Sequence, residues 1–424
     1  MKNPIDVNLT SPEVLKEPFS TYDLMREKAP VYHVADDDIY VLTRFEDVRH
    51  ALRTHEDFSS IAMGRIHSHG LGRSRQTSEP SMKEFAASIA ETRNMATSDP
   101  PDHTVMRRFL AKRFTPRRIE TWTSKVQGFA DDLLDDLIEA NKGGVADLAH
   151  DYAYSLPLII IAEMLGVPYE LRQQFREWSD QAVGVFSGAP LTEEVQLGCI
   201  QLAAFFAGQV AERRQNPGGD DLISLLIEKN PDDDPEAMMG DGVIIQTCTL
   251  LLIAGHETTA NLLCNATLSL IDHPMQRKEL ENDFSLIPNM IEEVLRWNSP
   301  IQAVYRATTR DVEIAGVTIP KDKTVLCCVG AANRDESVFS NGNQFDIHRD
   351  IEEHLGLGSG NHYCIGAHLS RIEGRIGMET LLRRTRNMQL SGEPTRALGN
   401  ILRGWTHLPV KFDVAESSES RGRG

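Results

Sequence analysis

From Asp99 to Trp297 apolar residues recur at helical spacing, with breaks at Gly143-Gly144, Gly166-Val-Pro168, Gly188-Ala-Pro190 and Asn216-Pro-Gly-Gly219. The longest run, about Asp241 to Asp272, contains no proline and predicts a helix of about 48 Å, long enough to act as a central spine. Before it, Pro30 to Phe45 alternates apolar and polar residues across an acidic turn, which predicts a hairpin. After Trp297 the pattern returns to short strands, VEIAGVTI and TVLCCVGA. A polar loop follows through Asp350, then a last helix from about Gly366. Residues 60–98, rich in Gly, Ser, Arg and His without sustained periodicity, read as a long loop forming one wall of a pocket. The fold class is mainly α with small β-sheets. An N-terminal arm (1–19), one domain (20–412) and a disordered tail (413–424) are expected.

Composition adds limits. With 41% hydrophobic and 25% charged residues the chain can bury a sizeable core. A net charge of −18 disfavours nucleic acid and anionic membranes as partners. Six cysteines (Cys199, Cys248, Cys264, Cys327, Cys328, Cys364) form no CxxC pair, which fits neither a disulfide framework nor a structural zinc site and points to a reducing compartment. The first residues carry charge and a proline where an export signal needs an apolar core. The most apolar stretch, Val243 to Gly255, falls short of the roughly twenty residues a bilayer requires. A cytoplasmic, unanchored protein is expected.

The richest chemistry lies in HLGLGSGNHYCIGAHLSRIEGR, where four glycines surround Cys364 just before an amphipathic helix. Glycines permit a tight loop and close approach to a flat ligand, and a helix N-terminus lowers a thiol's pKa, so Cys364 is expected as a thiolate. By itself the cysteine is also compatible with a small buried hydrophobe. A dinucleotide loop would need the third glycine of GxGxxG, and a cysteine nucleophile would need a base, for which His362 is near in sequence. In the long helix, AGHETT (254–259) sets Glu257 and Thr258 in an apolar stripe. Either Glu257 faces solvent and Thr258 bonds back to a carbonyl, or the two serve as acid and alcohol beside a ligand that Gly255 lets approach.

The cysteine loop resembles the heme-binding segment FGxGxHxCxG of the cytochrome P450 family, through Gly358, Gly360, His362, Cys364 and Gly366, followed by Arg371 and Glu373. Leu357 stands where the family usually has phenylalanine. AGHETT, the ExxR pair Glu293–Arg296, Arg349 of FDIHR, ANRD at 332–335 and the DPPDHTVMR helix follow in family order. The resemblance implies a helical prism around a long central helix with a β-rich N-terminal region, and a heme b cofactor ligated by Cys364. It further implies that His103, Arg107, Arg306 and His362 hold the heme propionates, that Glu257 and Thr258 deliver protons for oxygen activation, and that Glu293, Arg296 and Arg349 form a buried structural network. The reaction implied is insertion of one oxygen atom from O2 into a small lipophilic substrate. Its electrons would come from NAD(P)H through a reductase and a separate ferredoxin or flavodoxin. Arg108, Lys112 and Arg113 are the candidate docking site for that carrier. A heme sensor or a peroxide-driven enzyme is the alternative, and neither requires Glu257 and Thr258. Val183 to Phe186, Leu251 to Ala254 and Ile301 to Val304 are expected pocket walls with the 60–98 segment. Arg65, His67, His69, Arg73 and Arg75 there raise the reading of an anionic substrate.

Overall fold

The computed structural model describes residues 4–71, 80–91, 93–142, 144, 146–182, 191–228, 240–397 and 399–415. The expected spine is a helix over Asp241–Asp272. Between Ile244 and Leu270 most of its residues are buried, and it packs against the helices Ser155–Met164, Glu193–Gln215, Ile287–Trp297 and Ala367–Arg384. By length and composition this helix could cross a membrane, but 61% of its apolar window is buried inside the protein, as befits a core helix.

The expected hairpin forms from Val31–Val34 and Ile39–Leu42. It is one edge of a five-stranded sheet: Ile39–Leu42 pairs in parallel with Thr324–Cys327, which pairs antiparallel with Val304–Thr308 and places Phe58–Ser59 at the far edge. The N-terminal hairpin therefore joins strands nearly three hundred residues later, a long-range pairing that no local pattern encodes. VEIAGVTI forms a separate two-stranded ladder, Val312–Ile314 with Val317–Ile319.

Two expectations are corrected. The 60–98 segment is largely helical where described, with a short turn at Ser60–Met63 and helices Ile66–His69 and Pro80–Glu91, and 93–98 runs as coil and turn. Apolar Met82, Phe85, Ala86 and Ile89 of the last pack with Leu191 and Val195, a periodicity the flanking polar residues conceal. The tail begins later than residue 413, because the strand Pro409–Val414 pairs with Thr385–Leu390 and Ala415 N–H still donates to Arg384 O. Residues 416–424 lie outside the described residues.

Beneath the sheet, Glu293 and Arg296 are 0% exposed and joined in a bidentate pair with both N–O distances 2.7 Å. Arg296 Nη1 also donates to the carbonyls of Asn333 and Gly342, each at 2.8 Å, while Glu293 accepts from Asp346 N–H at 2.9 Å and Arg349 Nε at 3.3 Å. Every strong donor and acceptor in the pair is thus used, the condition under which a buried ion pair is tolerated. The network pins the 333–349 chain against the helix that supports the cysteine loop. Glu293→Ala leaves the Arg296 guanidinium buried without its counter-charge; we expect a loss of about 3–5 kcal/mol in the free energy of urea unfolding, and a loss under about 1 kcal/mol would show the pair to be dispensable.

Candidate active site

Cys364 sits where the loop from Leu355 meets the Ala367–Arg384 helix. Gly358 (φ +76°) and Gly360 (φ +69°) take left-handed conformations, and a Cβ on Gly360 would lie 2.9 Å from Arg53 Cα. Gly356 is excluded from carrying a side chain as well, since its Cβ would lie 2.3 Å from Leu295 O. Cys364 N–H donates to Leu357 O at 2.8 Å, which ties the cysteine's main chain to the start of the loop; the Leu357 side chain is buried in the main core. Below the loop, Arg371 forks onto Glu292 (2.6 and 2.8 Å) and donates to Tyr363 Oη at 3.1 Å. Burial works against the charge on Glu292, but Arg371 and His354 outweigh it and hold its carboxyl down at about 2.

The sulfur's ionisation departs from expectation. Burial raises the Cys364 thiol pKa, and the Gly366 N–H, Arg107 and Arg371 pull it down without overcoming that cost. The helix terminus alone does not hold a thiolate here.

Cys364 faces a cavity of about 240 Å³ whose opposite wall is Leu250, Leu251 and Ala254 of the central helix. The pressing face is Ala254 rather than Gly255, whose missing side chain points toward Ile161 instead. Met63, Met95, Ala96 and Val304 close the sides, so the 60–98 segment and the Ile301 to Val304 stretch each supply part of the wall. Leu252 and Ile253 turn into the core, and Ile301 bridges to Leu402. Val183 to Phe186 lie outside the described residues. So do Arg73 and Arg75; Arg65 is exposed and His67 is buried, so these two do not share a face. His69 belongs to the short Ile66–His69 helix.

One rim of the cavity is cationic. Arg107, Arg306 and His362 line it; Arg107 Nη2 donates to Tyr363 O at 2.6 Å, Arg306 Nη1 to Tyr305 O at 2.9 Å, and His362 Nε2 contacts Ser60 Oγ at 2.8 Å. His103, 2% exposed, stands behind His362 with ring centroids 4.2 Å apart, and its Nε2 has no partner among the described residues. Burial, then Arg306, His103 and Arg107, push His362 down to about 2, and burial with Arg107 lowers His103. The nearby carboxylate, Asp99, is engaged by the Ser59 hydroxyl and the Ser60 N–H. Buried guanidinium and imidazole donors with spare capacity fit carboxylates arriving from a ligand. One sulfur facing the cavity, with guanidinium and imidazole side chains along its rim, fits a metal whose other ligands belong to a carboxylate-bearing macrocycle. The residues present fit heme.

On the helix side, Glu257 is 1% exposed with Oε2 unpartnered among the described residues, so the solvent-facing reading is excluded. Burial, with Asp180 adding repulsion, raises its carboxyl to about 8. Thr258 Oγ1 donates to Ala254 O at 2.7 Å, the back-bonded geometry. Neither residue lines the cavity, though Ala254, one turn before Thr258, does. Two neighbours of Glu257, Asp180 and Tyr154, had no sequence signal. Asp180 belongs to the Arg172–Ala182 helix, where nothing in RQQFREWSDQA sets it apart from an ordinary polar face. Tyr154 meets the buried His256 ring edge-on at 5.4 Å, and His256 Nδ1 contacts Ser179 Oγ at 3.2 Å. Glu373 is buried with a carboxyl raised to about 8 by burial despite a hydrogen bond from Thr259, whose hydroxyl also reaches Ser370 at 3.2 Å. The i, i+3 spacing of Ser370 and Glu373 is the trace of that contact in the sequence.

On the outer surface Arg108 and Lys112 are exposed, whereas Arg113 turns inward to donate to Leu225 O at 3.3 Å.

A family model described as cytochrome P450 matches residues 190–396. The chain is 34% identical over 387 residues to cytochrome P450 107B1 of Saccharopolyspora erythraea, covering 88% of this chain and 89% of that protein. To the 6-deoxyerythronolide B hydroxylase of the same organism it is 32% identical over 402 residues, covering 93% and 96%. The solved structure of cytochrome P450 CYP109Q5 from Chondromyces apiculatus superposes with a TM-score of 0.84 at 33% identity, covering 97% of this chain and 99% of that one. The cysteine loop, the cationic rim and the AGHETT helix are thus set in a fold shared from end to end with such enzymes, and the chain belongs to the bacterial-type cytochromes P450, heme b monooxygenases with a thiolate ligand.

Proposed function

We propose that Cys364 supplies the iron ligand, that Arg107, Arg306, His103 and His362 receive the propionates, and that Glu257 and Thr258 handle the protons of a monooxygenation. The observation that carries this reading is the convergence of one cysteine sulfur and three cationic or imidazole side chains on a single cavity walled by the AGHETT helix. Bound heme supplies the redox chemistry, by which one atom of O2 enters the substrate and the other leaves as water at the expense of two electrons. The carboxyl of Glu257, held up at about 8, keeps its proton at neutral pH inside a dry site. Thr258, one residue on, offers a hydroxyl that donates to Ala254 O and keeps its lone pairs free to accept a hydrogen bond. Met63, Met95, Leu250, Leu251 and Val304 exclude water and favour a small lipophilic substrate for hydroxylation, epoxidation or O-dealkylation. The named hydroxylase relative supports the first of these reactions.

The electron donor in this reading is a separate ferredoxin or flavodoxin served by an NAD(P)H-dependent reductase. It docks on the face carrying Arg108 and Lys112; Arg113 is withdrawn from that role by its contact with Leu225. A cytoplasmic setting accords with six cysteines that are all unpaired.

Two measurements test these assignments. Because Glu257 donates only when protonated, turnover should fall as pH rises through about 8. Glu257→Gln should lower turnover by about 10²-fold at pH 7 and abolish that alkaline limb without altering heme content; an unchanged pH profile would remove Glu257 from proton delivery. Arg108→Glu with Lys112→Glu should slow reduction by an acidic carrier about tenfold at low ionic strength, with the difference shrinking in salt. Stopped-flow reduction rates equal to those of the parent would rule that face out.

A further inference from the structure

A second cavity, about 300 Å³ in volume, lies at the C-terminal end of the central helix beside Leu268, Ser269 and Asp272. It shares no lining residue with the cavity facing Cys364, and Leu268 is fourteen residues beyond Ala254, about 21 Å along the helix axis. Its walls come from the Phe19–Lys28 helix, the end of the Ile287–Trp297 helix, and the paired strands Thr395–Ala397 and Gly404–His407.

Three arginines converge on it, each over an aromatic ring. The Arg334 guanidinium lies 3.3 Å from the Phe19 ring centroid and 4.5 Å from that of Trp297, Arg403 lies 4.9 Å from Phe19, and Arg396 lies 3.8 Å from Trp405. Two are committed to the protein. Arg334 Nε and Nη2 both donate to Trp297 O, and Arg403 donates to Asn298 Oδ1, Lys16 O and Glu17 Oε2. Arg396 is different: its Nη1 is buried and has no partner among the described residues. The carboxylates at the cavity are Glu17, already engaged by Arg403, and Asp272, which is exposed. Burial, then repulsion from Arg403, weakens the hold of Arg396 and Arg334 on their protons, lowering each to about 9.

A half-buried guanidinium with an unpartnered Nη1, stacked on an indole beside a ligand-sized cavity, is matched by a planar anion able to accept hydrogen bonds from it. Leu268, Leu390 and Pro394 add apolar wall, which a bare inorganic ion would leave unused. We propose that this cavity is a second ligand site, taking an organic carboxylate whose anionic end accepts from Arg396 and whose apolar body lies against Trp405 and Leu390. The assignment is independent of what binds at Cys364.

The test uses the heme-loaded enzyme saturated with imidazole, so that the heme pocket is occupied, and titrates benzoate by calorimetry at constant ionic strength. One saturable benzoate site is expected, weakened at least tenfold by Arg396→Gln, with benzamide not binding, inorganic phosphate binding more weakly, and the Soret band unmoved throughout. Arg396→Lys, which keeps the charge and loses the fork, should fall between parent and Gln variant. Absence of saturable benzoate binding, equal affinity in Arg396→Gln, equal binding of benzamide or phosphate, or a Soret shift showing displaced imidazole would each overturn the proposal.

Discussion

A sulfur buried in a tight loop is costly to ionise, and that cost organises the active site. The Gly366 N–H, Arg107 and Arg371 all favour the thiolate of Cys364, yet burial outweighs them and the thiol pKa stays raised. A metal cation on the sulfur would supply further stabilisation of the thiolate. The loop is correspondingly rigid: its backbone is tied at Leu357 O, its glycines leave no room at Arg53 Cα, and its supporting arginine forks onto Glu292. The Glu293–Arg296–Arg349 network secures the segment leading into this loop. Local precision at one atom thus rests on a buried ionic frame some tens of residues away in sequence.

The same economy of water shapes the opposite wall. Burial holds the carboxyls of Glu257 and Glu373 in their neutral forms near neutral pH, one on the central helix and one on the Ala367–Arg384 helix packed against it, while it keeps His256 and His362 uncharged. A site that keeps acids protonated and imidazoles neutral can move protons without stabilising fixed charge inside it. The arginines, which cannot lose their charge as readily, sit at the rim where ligand carboxylates can meet them.

Much of this was legible in the chain. The central helix emerged at its full Asp241–Asp272 length because it is uninterrupted and strongly periodic, and the Cys364 loop announced itself through glycines that only a constrained turn requires. Four of the five residues expected at the cofactor converge on the cavity, with His103 directly behind His362. What failed did so for physical reasons. The 60–98 segment hid a helix because its apolar face meets a small satellite cluster rather than the main core. Arg113 looked like its exposed neighbours until packing turned it toward Leu225. Asp180 acts on Glu257 only through tertiary contact, and the parallel pairing of Ile39–Leu42 with Thr324–Cys327 has no local signature at all.

The central claim is that Cys364 binds the heme iron as a thiolate. Its most direct test is the carbon monoxide difference spectrum of the reduced, heme-loaded protein, taken with the parent and with Cys364→His. Thiolate ligation predicts a strongly red-shifted Soret band in the parent that disappears in the variant while heme is retained. A parent spectrum of the kind given by histidine-ligated heme would contradict the account.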